Sequence, residues 1–271
     1  MLSEGVKAED VYKALEAYFK PEECIDVFEI KGLQYHNTEI IKKVYTSTFA
    51  SPSVFEEILG RNEHNVMLFS HHPVPPRPTE NDPYPKIPEE LKKRLKANEI
   101  SFFAYHIPLD KSNFYSPSNT LGRALGLKPY GEFYIQNGSV LGALCEGAPE
   151  RAEDFVINIE KALGHPVKLY PYGGEFIKGG RVAIMGGCAR NTDVYDELRK
   201  KGINMMLTGV TNPAVSWTLD IHEEASKKSI SLIGGTHYST ERFSPVAMLD
   251  FFKKLGLQGE FIAEAPNLTD M

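Results

Sequence analysis

Few cysteines, no long apolar run and no excess of basic residues set the first limits on this chain. Its 271 residues include only three cysteines, Cys24, Cys145 and Cys188, which are widely spaced and form no CxxC pair. We therefore expect unpaired thiols in a reducing compartment and no thiolate metal ligands. No apolar run approaches the roughly 18 residues of a membrane helix, and the first residues lack the apolar region of a signal peptide. These absences predict a cytoplasmic protein without membrane contact.

The charge balance points away from nucleic acid as a partner. The chain has 36 acidic and 30 basic side chains, a net charge of −6, and therefore no basic footprint for a phosphate backbone. With 42% hydrophobic and 24% charged residues, the composition is that of an ordinary globular protein. The length fits one large or two small domains. A small-molecule substrate is the more compatible partner.

A predicted buried strand ends in two adjacent histidines. Residues 66–70 (Val-Met-Leu-Phe-Ser) run directly into His71 and His72, and Pro73 ends the run. Such a run is typical of a central strand of a parallel sheet, and ligands collect outside the carboxyl ends of these strands. Neighbouring side chains on a strand point to opposite faces, so one imidazole for each of two metal ions is the functional interpretation. The alternative is a pair of ordinary polar residues at a strand end.

Two further predicted strands, at residues 100–105 and 229–235, are each followed by a histidine and a carboxylate. The side chains that follow them are His106 with Asp110, and His237 with Glu241. Pro108 argues against regular helix in the first pair, whereas the second pair shares one helix face if a helix begins there. Each pair also has a structural alternative, such as a capped turn or a first-turn glutamate. Together the three strand ends supply four imidazoles and two carboxylates, a set suited to two divalent transition ions.

The three motifs resemble one known family in their order and approximate spacing. They are the strand with His-His-Pro, the His-x-x-x-Asp after Phe-Phe-Ala-Tyr, and the Gly-Thr-His-Tyr-x-x-Glu near the C-terminus. The family is the Nif-three-like family, also known as GTP cyclohydrolase I type 2 homologues, and the resemblance covers nearly the whole chain. It implies a two-domain α/β fold, a dinuclear metal site and assembly as a toroidal homohexamer.

The resemblance also implies which side chains surround the two metal ions. The metal-site positions are His71, His72, His106, Asp110, His237 and Glu241. Most of them are expected to be direct ligands, and His106 is the first candidate to lie beside the metals instead. Nitrogen and oxygen ligands without thiolate suit Zn, Fe, Mn, Ni or Co.

All three motifs lie outside the middle of the chain, which predicts an α/β protein with a discontinuous domain. We expect residues 1–115 and 200–271 to form one sheet-centred metal-binding domain. Residues 116–199 are expected to form a smaller inserted α+β domain with a hairpin at Asn137-Gly138. The predicted strands after residue 200 would then return the chain to the first sheet, with all three motifs at one sheet edge.

Two loops have both a structural and a functional interpretation. Seven prolines between residues 73 and 88 predict an extended loop. It is either a connector, which we favour, or a rim that carries Arg77 to an anionic substrate. The segment Gly186-Gly187-Cys188 follows a predicted strand and is either a structural turn, again favoured, or an anion-binding loop.

Two classes of function are compatible with these features. The first is a metal-dependent hydrolase that attacks a nucleotide or phosphoester-like substrate through hydroxide bound to the metals. Tyr238 and Lys111 are then the candidate catalytic residues, because they are able to steady an oxyanion or donate a proton. The alternative is a non-enzymatic metal carrier or regulatory protein. Metal-dependent turnover that the His71→Ala change abolishes would separate the two.

Overall fold

The computed structural model describes residues 4–77 and 81–271. The chain divides into two compact units. The first comprises Met1–Leu109 and Ser244–Glu264, and the second comprises Asp110–Phe243 and Ala265–Met271. Among the described residues, no helix is long and apolar enough to cross a membrane.

The elements alternate between strands and helices along the chain. The strands are β1 (Val6–Lys7), β2 (Gly32–Tyr35), β3 (Ile40–Ile41), β4 (Lys43–Phe49), β5 (Val66–His72), β6 (Ile100–Ala104), β7 (Lys128–Gln136), β8 (Ser139–Glu146), β9 (Lys168–Tyr170), β10 (Arg181–Met185), β11 (Met205–Thr208), β12 (Ser231–Gly234) and β13 (Gln258–Phe261). The α-helices are α1 (Ala8–Phe19), α2 (Pro52–Gly60), α3 (Glu89–Ala97), α4 (Ile107–Asp110), α5 (Pro117–Ala124), α6 (Ala152–Leu163), α7 (Val194–Lys200), α8 (Thr218–Lys227), α9 (His237–Glu241) and α10 (Phe243–Lys254).

The first unit is built around a five-stranded sheet of order β13-β4-β5-β6-β2. Strands β13, β4, β5 and β6 are parallel, and β2 pairs with β6 in the antiparallel direction. Ser70 lies opposite Ala104 in the register of β5 and β6. The carboxyl ends of these two strands therefore lie side by side, which brings the residues that follow them to one edge of the sheet.

Helices cover both faces of this sheet, which explains why its strands read as continuous apolar runs. On one face, Phe55 of α2 packs edge-on against Phe102 with ring centroids 5.3 Å apart. On the other, Phe252 of α10 packs against Phe69 at 5.5 Å. All seven residues of β5 are buried, as predicted for a central parallel strand. This buried strand positions the histidine pair.

The second unit contains a six-stranded sheet of order β7-β8-β10-β11-β12-β9. The predicted hairpin is confirmed: β7 and β8 pair antiparallel, and both turn residues, Asn137 and Gly138, have positive φ. Strands β10, β11 and β12 are parallel neighbours. The inserted part of the chain therefore has a large sheet of its own.

The predicted division at residues 116–199 differs from the structure in where the chain returns to the first unit. Strands β11 and β12 do not join the first sheet, because Met206 of β11 lies between Ala183 of β10 and Leu232 of β12. The return occurs at Ser244 rather than near residue 200, and the inserted unit is not the smaller one. The three motifs consequently do not follow strands of one sheet. A buried-strand pattern specifies a strand but not the sheet in which it pairs.

Two local expectations have different outcomes. The segment from His106 to Asp110, predicted to be irregular because of Pro108, contains the short helix α4. The prediction was wrong because a helix tolerates proline in its first turn, where the amide hydrogen has no intrahelical partner. In the proline-rich segment, the described residues 73–77 and 81–88 contain neither helix nor strand, as predicted for an extended loop.

Candidate metal centre

His71 and His72 are buried at the end of β5. Their ring centroids lie 4.3 Å apart, and the ring of His72 stacks on Phe49 at 4.7 Å. Nδ1 of His71 lies 3.0 Å from the carbonyl oxygen of Tyr105. Because a carbonyl only accepts, this contact requires a proton on Nδ1 and leaves the lone pair on Nε2. The first imidazole is thus oriented by the backbone of the neighbouring chain segment.

His106 completes a group of three imidazoles in the first unit. Its ring centroid lies 4.8 Å from that of His72 and 5.6 Å from that of His71. The parallel register of β5 and β6 produces this proximity, since both strands end at the same sheet edge. The expectation that these two strand ends deliver histidines to one place is therefore confirmed.

Asp26 is a partner of His106 that no sequence motif indicated. Its Oδ1 accepts a hydrogen bond from Nδ1 of His106 at 2.8 Å, and its Oδ2 accepts one from the amide of Ile107 at 2.9 Å. Burial raises the pKa of the Asp26 carboxyl, but the hydrogen bonds and the charge of His106 outweigh it and hold the pKa below its usual value. Asp26 precedes His106 by 80 positions, so only the tertiary structure reveals the pair.

The second unit carries His237 and Glu241 on the short helix α9. Nε2 of His237 lies 3.2 Å from Oε2 of Glu241, so the predicted sharing of one helix face is confirmed. Thr236 begins this helix, and its Oγ1 accepts a hydrogen bond from the amide of Ser239 at 3.2 Å. The backbone of Thr236 has φ 64° and ψ 149°, a region that only glycine adopts easily. The chain therefore stores strain directly before His237.

Glycines allow the backbone to approach this helix closely. Gly187 has φ +71°, and a Cβ there would collide with Oε1 of Glu241 and lie 3.2 Å from Nε2 of His237. A Cβ at Gly209 would lie 2.9 Å from Cα of His237. The amide of Gly187 donates to Oγ1 of Thr240 at 3.0 Å. That amide is engaged within the fold, as the structural-turn interpretation of this loop requires.

Cys188, the residue after Gly187, lies beside His237. Its Sγ is 3.8 Å from Nδ1 of His237. Burial lowers the pKa of His237, but the interactions with the Glu241 carboxylate and with Cys188 outweigh burial and hold that pKa well above its ordinary value. Cys188 is half-buried, whereas Cys24 and Cys145 are buried, and burial raises the pKa of Cys145 to about 12. No spacing of residues along the chain indicated the contact between Cys188 and His237.

The remaining predicted site residues occupy defined places in the second unit. Asp110 is buried at the end of α4, and Lys111 is half-buried directly after it. Tyr238 is buried within α9. Their proposed roles as ligand, proton donor or oxyanion contact stay predictions.

Together, the fold and these side chains define an α/β protein that carries the imidazoles and carboxylates favoured by divalent transition ions. The model of the Duf34/NIF3 (NGG1p interacting factor 3) family matches residues 6–267. The chain belongs to this family.

Curated relatives and solved structures agree with this assignment. Proteins named GTP cyclohydrolase 1 type 2 homolog are 27% identical in Pseudomonas aeruginosa, with 87% of this chain and 88% of the relative covered, and 26% identical in Chlamydia trachomatis, with 95% and 98% covered. A solved structure described as protein ybgI, of unknown function, has a TM-score of 0.78 at 22% identity and covers 97% of this chain and 100% of its own. A protein from Thermus thermophilus has a TM-score of 0.75 at 19% identity, with 97% and 100% covered. These two likenesses extend the agreement to the fold.

Proposed function

We propose that the chain is a metal-dependent hydrolase whose six predicted side chains hold two divalent ions. The six are His71, His72, His106, Asp110, His237 and Glu241. The proposed substrate is a nucleotide or another phosphoester-like molecule, as the name of the curated relatives suggests.

The observation that carries the proposal is the cluster of three imidazoles at the carboxyl ends of β5 and β6. Three ring centroids within 5.6 Å of one another are costly for histidines that serve only packing, because each buried ring nitrogen needs a partner. In His71 and His106, Nδ1 already meets an oxygen acceptor, which leaves Nε2 as the donor atom. This donor set fits borderline metals such as zinc, iron, nickel or cobalt.

The side chains of this protein would divide the work of hydrolysis among them. Two bound divalent ions supply Lewis acidity and lower the pKa of water. The imidazoles and carboxylates orient the reacting groups, while Tyr238 and Lys111 are proposed to steady a developing negative charge or donate a proton. No protein side chain is required to act as the nucleophile.

Metal content and turnover in matched variants test the proposal. The protein is purified without chelator, its metal is measured by elemental analysis, and the loaded protein is assayed with a panel of nucleotides and phosphodiesters. We expect two ions per chain in the wild type, and a larger loss of metal in Glu241→Ala than in His71→Ala if Glu241 bridges the ions. Turnover should disappear in both variants. His64→Ala removes an exposed histidine outside the motifs and is the control.

Two outcomes would contradict the proposal in different ways. Wild-type metal content in both Glu241→Ala and Asp110→Ala, with unchanged thermal midpoints, would refute the metal centre. Exchangeable metal that these variants lose, together with no turnover of any substrate, would instead support a metal carrier or regulatory protein.

The proposed assembly is a homohexamer, which rests on the family resemblance alone. Light scattering of the purified protein measures the mass directly. The mass of a single chain at working concentration would contradict it.

A further inference from the structure

The segment around Asp26 has an inverted burial pattern. The Asp26 side chain is 1% exposed, whereas the neighbouring Ile25, Val27 and Ile30 are 65%, 58% and 56% exposed. Burying a carboxylate is unfavourable unless it is well paired. Three exposed aliphatic side chains also lose the stabilisation that burial of their apolar surface would provide. The contacts of the carboxylate therefore contribute to the position of the segment, since these three aliphatic side chains do not anchor it by burial.

Those contacts determine the state of the His106 ring. Asp26 Oδ1 accepts from both Nδ1 of His106 at 2.8 Å and the amide of Phe28 at 3.1 Å. The ring of Phe28 meets the imidazole edge-on at 5.2 Å, which fixes its plane. An ionised carboxylate only accepts hydrogen bonds, so Nδ1 must carry a proton. In the neutral form of this imidazole, the lone pair then lies on Nε2.

We propose that Asp26 is a positioning residue that holds His106 in the Nδ1–H tautomer and presents Nε2 as a metal ligand. The metal part of this inference rests on the proposed function, whereas the tautomer does not. Carboxylates that hydrogen-bond the far nitrogen of a metal-binding imidazole fix its orientation and raise its basicity. The same side chain also accepts from the amide of Ile107, so a purely structural role at the start of α4 is the alternative to exclude.

Asp26→Asn separates the two roles because no orientation of the amide satisfies the site. If the oxygen of the asparagine side chain points toward His106 and Phe28, its NH2 group faces the amide hydrogen of Ile107, and two donors then meet. With the NH2 group toward His106, the hydrogen bond survives only if Nδ1 loses its proton and Nε2 gains it. The variant should therefore shift His106 toward the Nε2–H tautomer.

Nitrogen NMR of the metal-free full-length protein measures this directly. Long-range ¹⁵N–¹H correlations should show a protonated Nδ1 and an unprotonated Nε2 for His106 in the wild type, with the assignment made by His106→Gln. Asp26→Asn should show a mixture or the reverse. An Nε2–H tautomer in the wild type, or an unchanged Nδ1–H tautomer in Asp26→Asn, would overturn the positioning role whatever the metal does.

Zinc affinity tests the second half of the inference. Competition with a chromophoric chelator should show zinc binding weakened by about 10- to 100-fold in Asp26→Asn, as for comparable outer carboxylates. Glu63→Gln, which removes a carboxylate bonded to Tyr45 and Lys43, should leave zinc affinity unchanged. Thermal midpoints report any loss of folding in each variant.

The outcomes distinguish this inference from the proposed function. If His106→Gln weakens zinc binding and Asp26→Asn does not, Asp26 has no part in metal binding. Unchanged zinc affinity in His106→Gln, with loss in His71→Ala, would also overturn the inference and leave the metal centre intact. A wild type that binds no zinc, iron, nickel, cobalt or manganese would refute the proposed function, while the tautomer still decides the role of Asp26.

Discussion

The two units hold their candidate ligands by different means. In the first unit, a parallel register delivers His71 and His106 to one sheet edge, and oxygen acceptors engage their Nδ1 atoms. In the second unit, His237 and Glu241 lie on a five-residue helix, against a glycine that leaves no room for a side chain. Position therefore depends on sheet geometry in one unit and on close backbone packing in the other.

The charges around the ligands also differ between the units. Nδ1 of His106 meets a carboxylate whose pKa is held below its usual value, whereas Nδ1 of His237 meets a thiol. The amide of His237 donates to Oδ2 of Asp270, and burial raises the pKa of that carboxyl. Similar imidazoles therefore acquire their properties from partners distant in sequence. Four predictions test this comparison.

Substitution of Gly187 should have the largest effect on zinc affinity. Gly187→Ala places a methyl group against Glu241 and strains a left-handed backbone, so we expect zinc affinity to fall at least about tenfold. Gly126→Ala is the matched control, since its φ of +73° imposes similar strain, roughly 1–3 kcal/mol, with no atom within 4 Å of the added carbon. Chelator competition and urea unfolding measure the two effects. Equal zinc affinities in the two variants would contradict the packing argument.

The two aspartates should respond oppositely to pH in the metal-free protein. The pKa of Asp26 is lowered on folding, so its contribution to stability is present above the unfolded value of 3.8 and is lost as pH falls through the folded pKa. The pKa of Asp270 is raised, so its contribution is present below the unfolded value and is lost as pH rises through the folded pKa. We expect Asp26→Asn to be more destabilising near pH 7 than near pH 3, and Asp270→Asn to show the reverse.

Urea unfolding of the wild type and both asparagine variants across this pH range provides the measurement. The comparison uses the difference in unfolding free energy between each variant and the wild type at the same pH. Effects of pH that are common to all three proteins then cancel. Parallel pH profiles for the two variants would contradict the opposite signs.

Thr236 allows a smaller test of the strain before His237. Thr236→Ala and Thr236→Gly both remove the hydroxyl that accepts from Ser239, but glycine relieves the backbone strain. We expect Thr236→Gly to be more stable than Thr236→Ala by about 1–2 kcal/mol in urea unfolding. Ser51 caps α2 with an unstrained φ of −76° and gives the matched pair Ser51→Ala and Ser51→Gly. A glycine advantage no larger at position 236 than at position 51 would refute the strain.

Cys188 should have the smallest effect on metal binding. A thiol at 3.8 Å is a weak hydrogen-bond partner, so Cys188→Ala should change zinc affinity by less than about threefold. Cys188→Ser, which puts a hydroxyl in place of the thiol, is the control. Chelator competition is the measurement. A loss as large as that of Asp26→Asn would mean that the thiol and the carboxylate support their imidazoles equally.

Local spacing was sufficient to predict much of the candidate site. The apolar run before His71 indicated a buried strand, and the interval of four between His237 and Glu241 indicated a shared helix face. The hairpin at Asn137-Gly138 followed from the turn that these residues favour. In each case the deciding interactions lie within a few residues of one another, so the sequence contains them directly.

Long-range contacts decided the rest. The sequence alone determined the buried strand before His71 and the helix face that His237 and Glu241 share, because the pattern and spacing of residues indicate which side of an element they occupy. It did not determine that β11 pairs with β10 and β12, that Asp26 reaches His106, or that Gly187 lies against Glu241. The residue pattern of a strand does not specify which strand pairs with it, and a single aspartate or glycine has no periodicity. Only the folded chain brings these atoms together, since hydrogen bonds and close packing depend on distances in space.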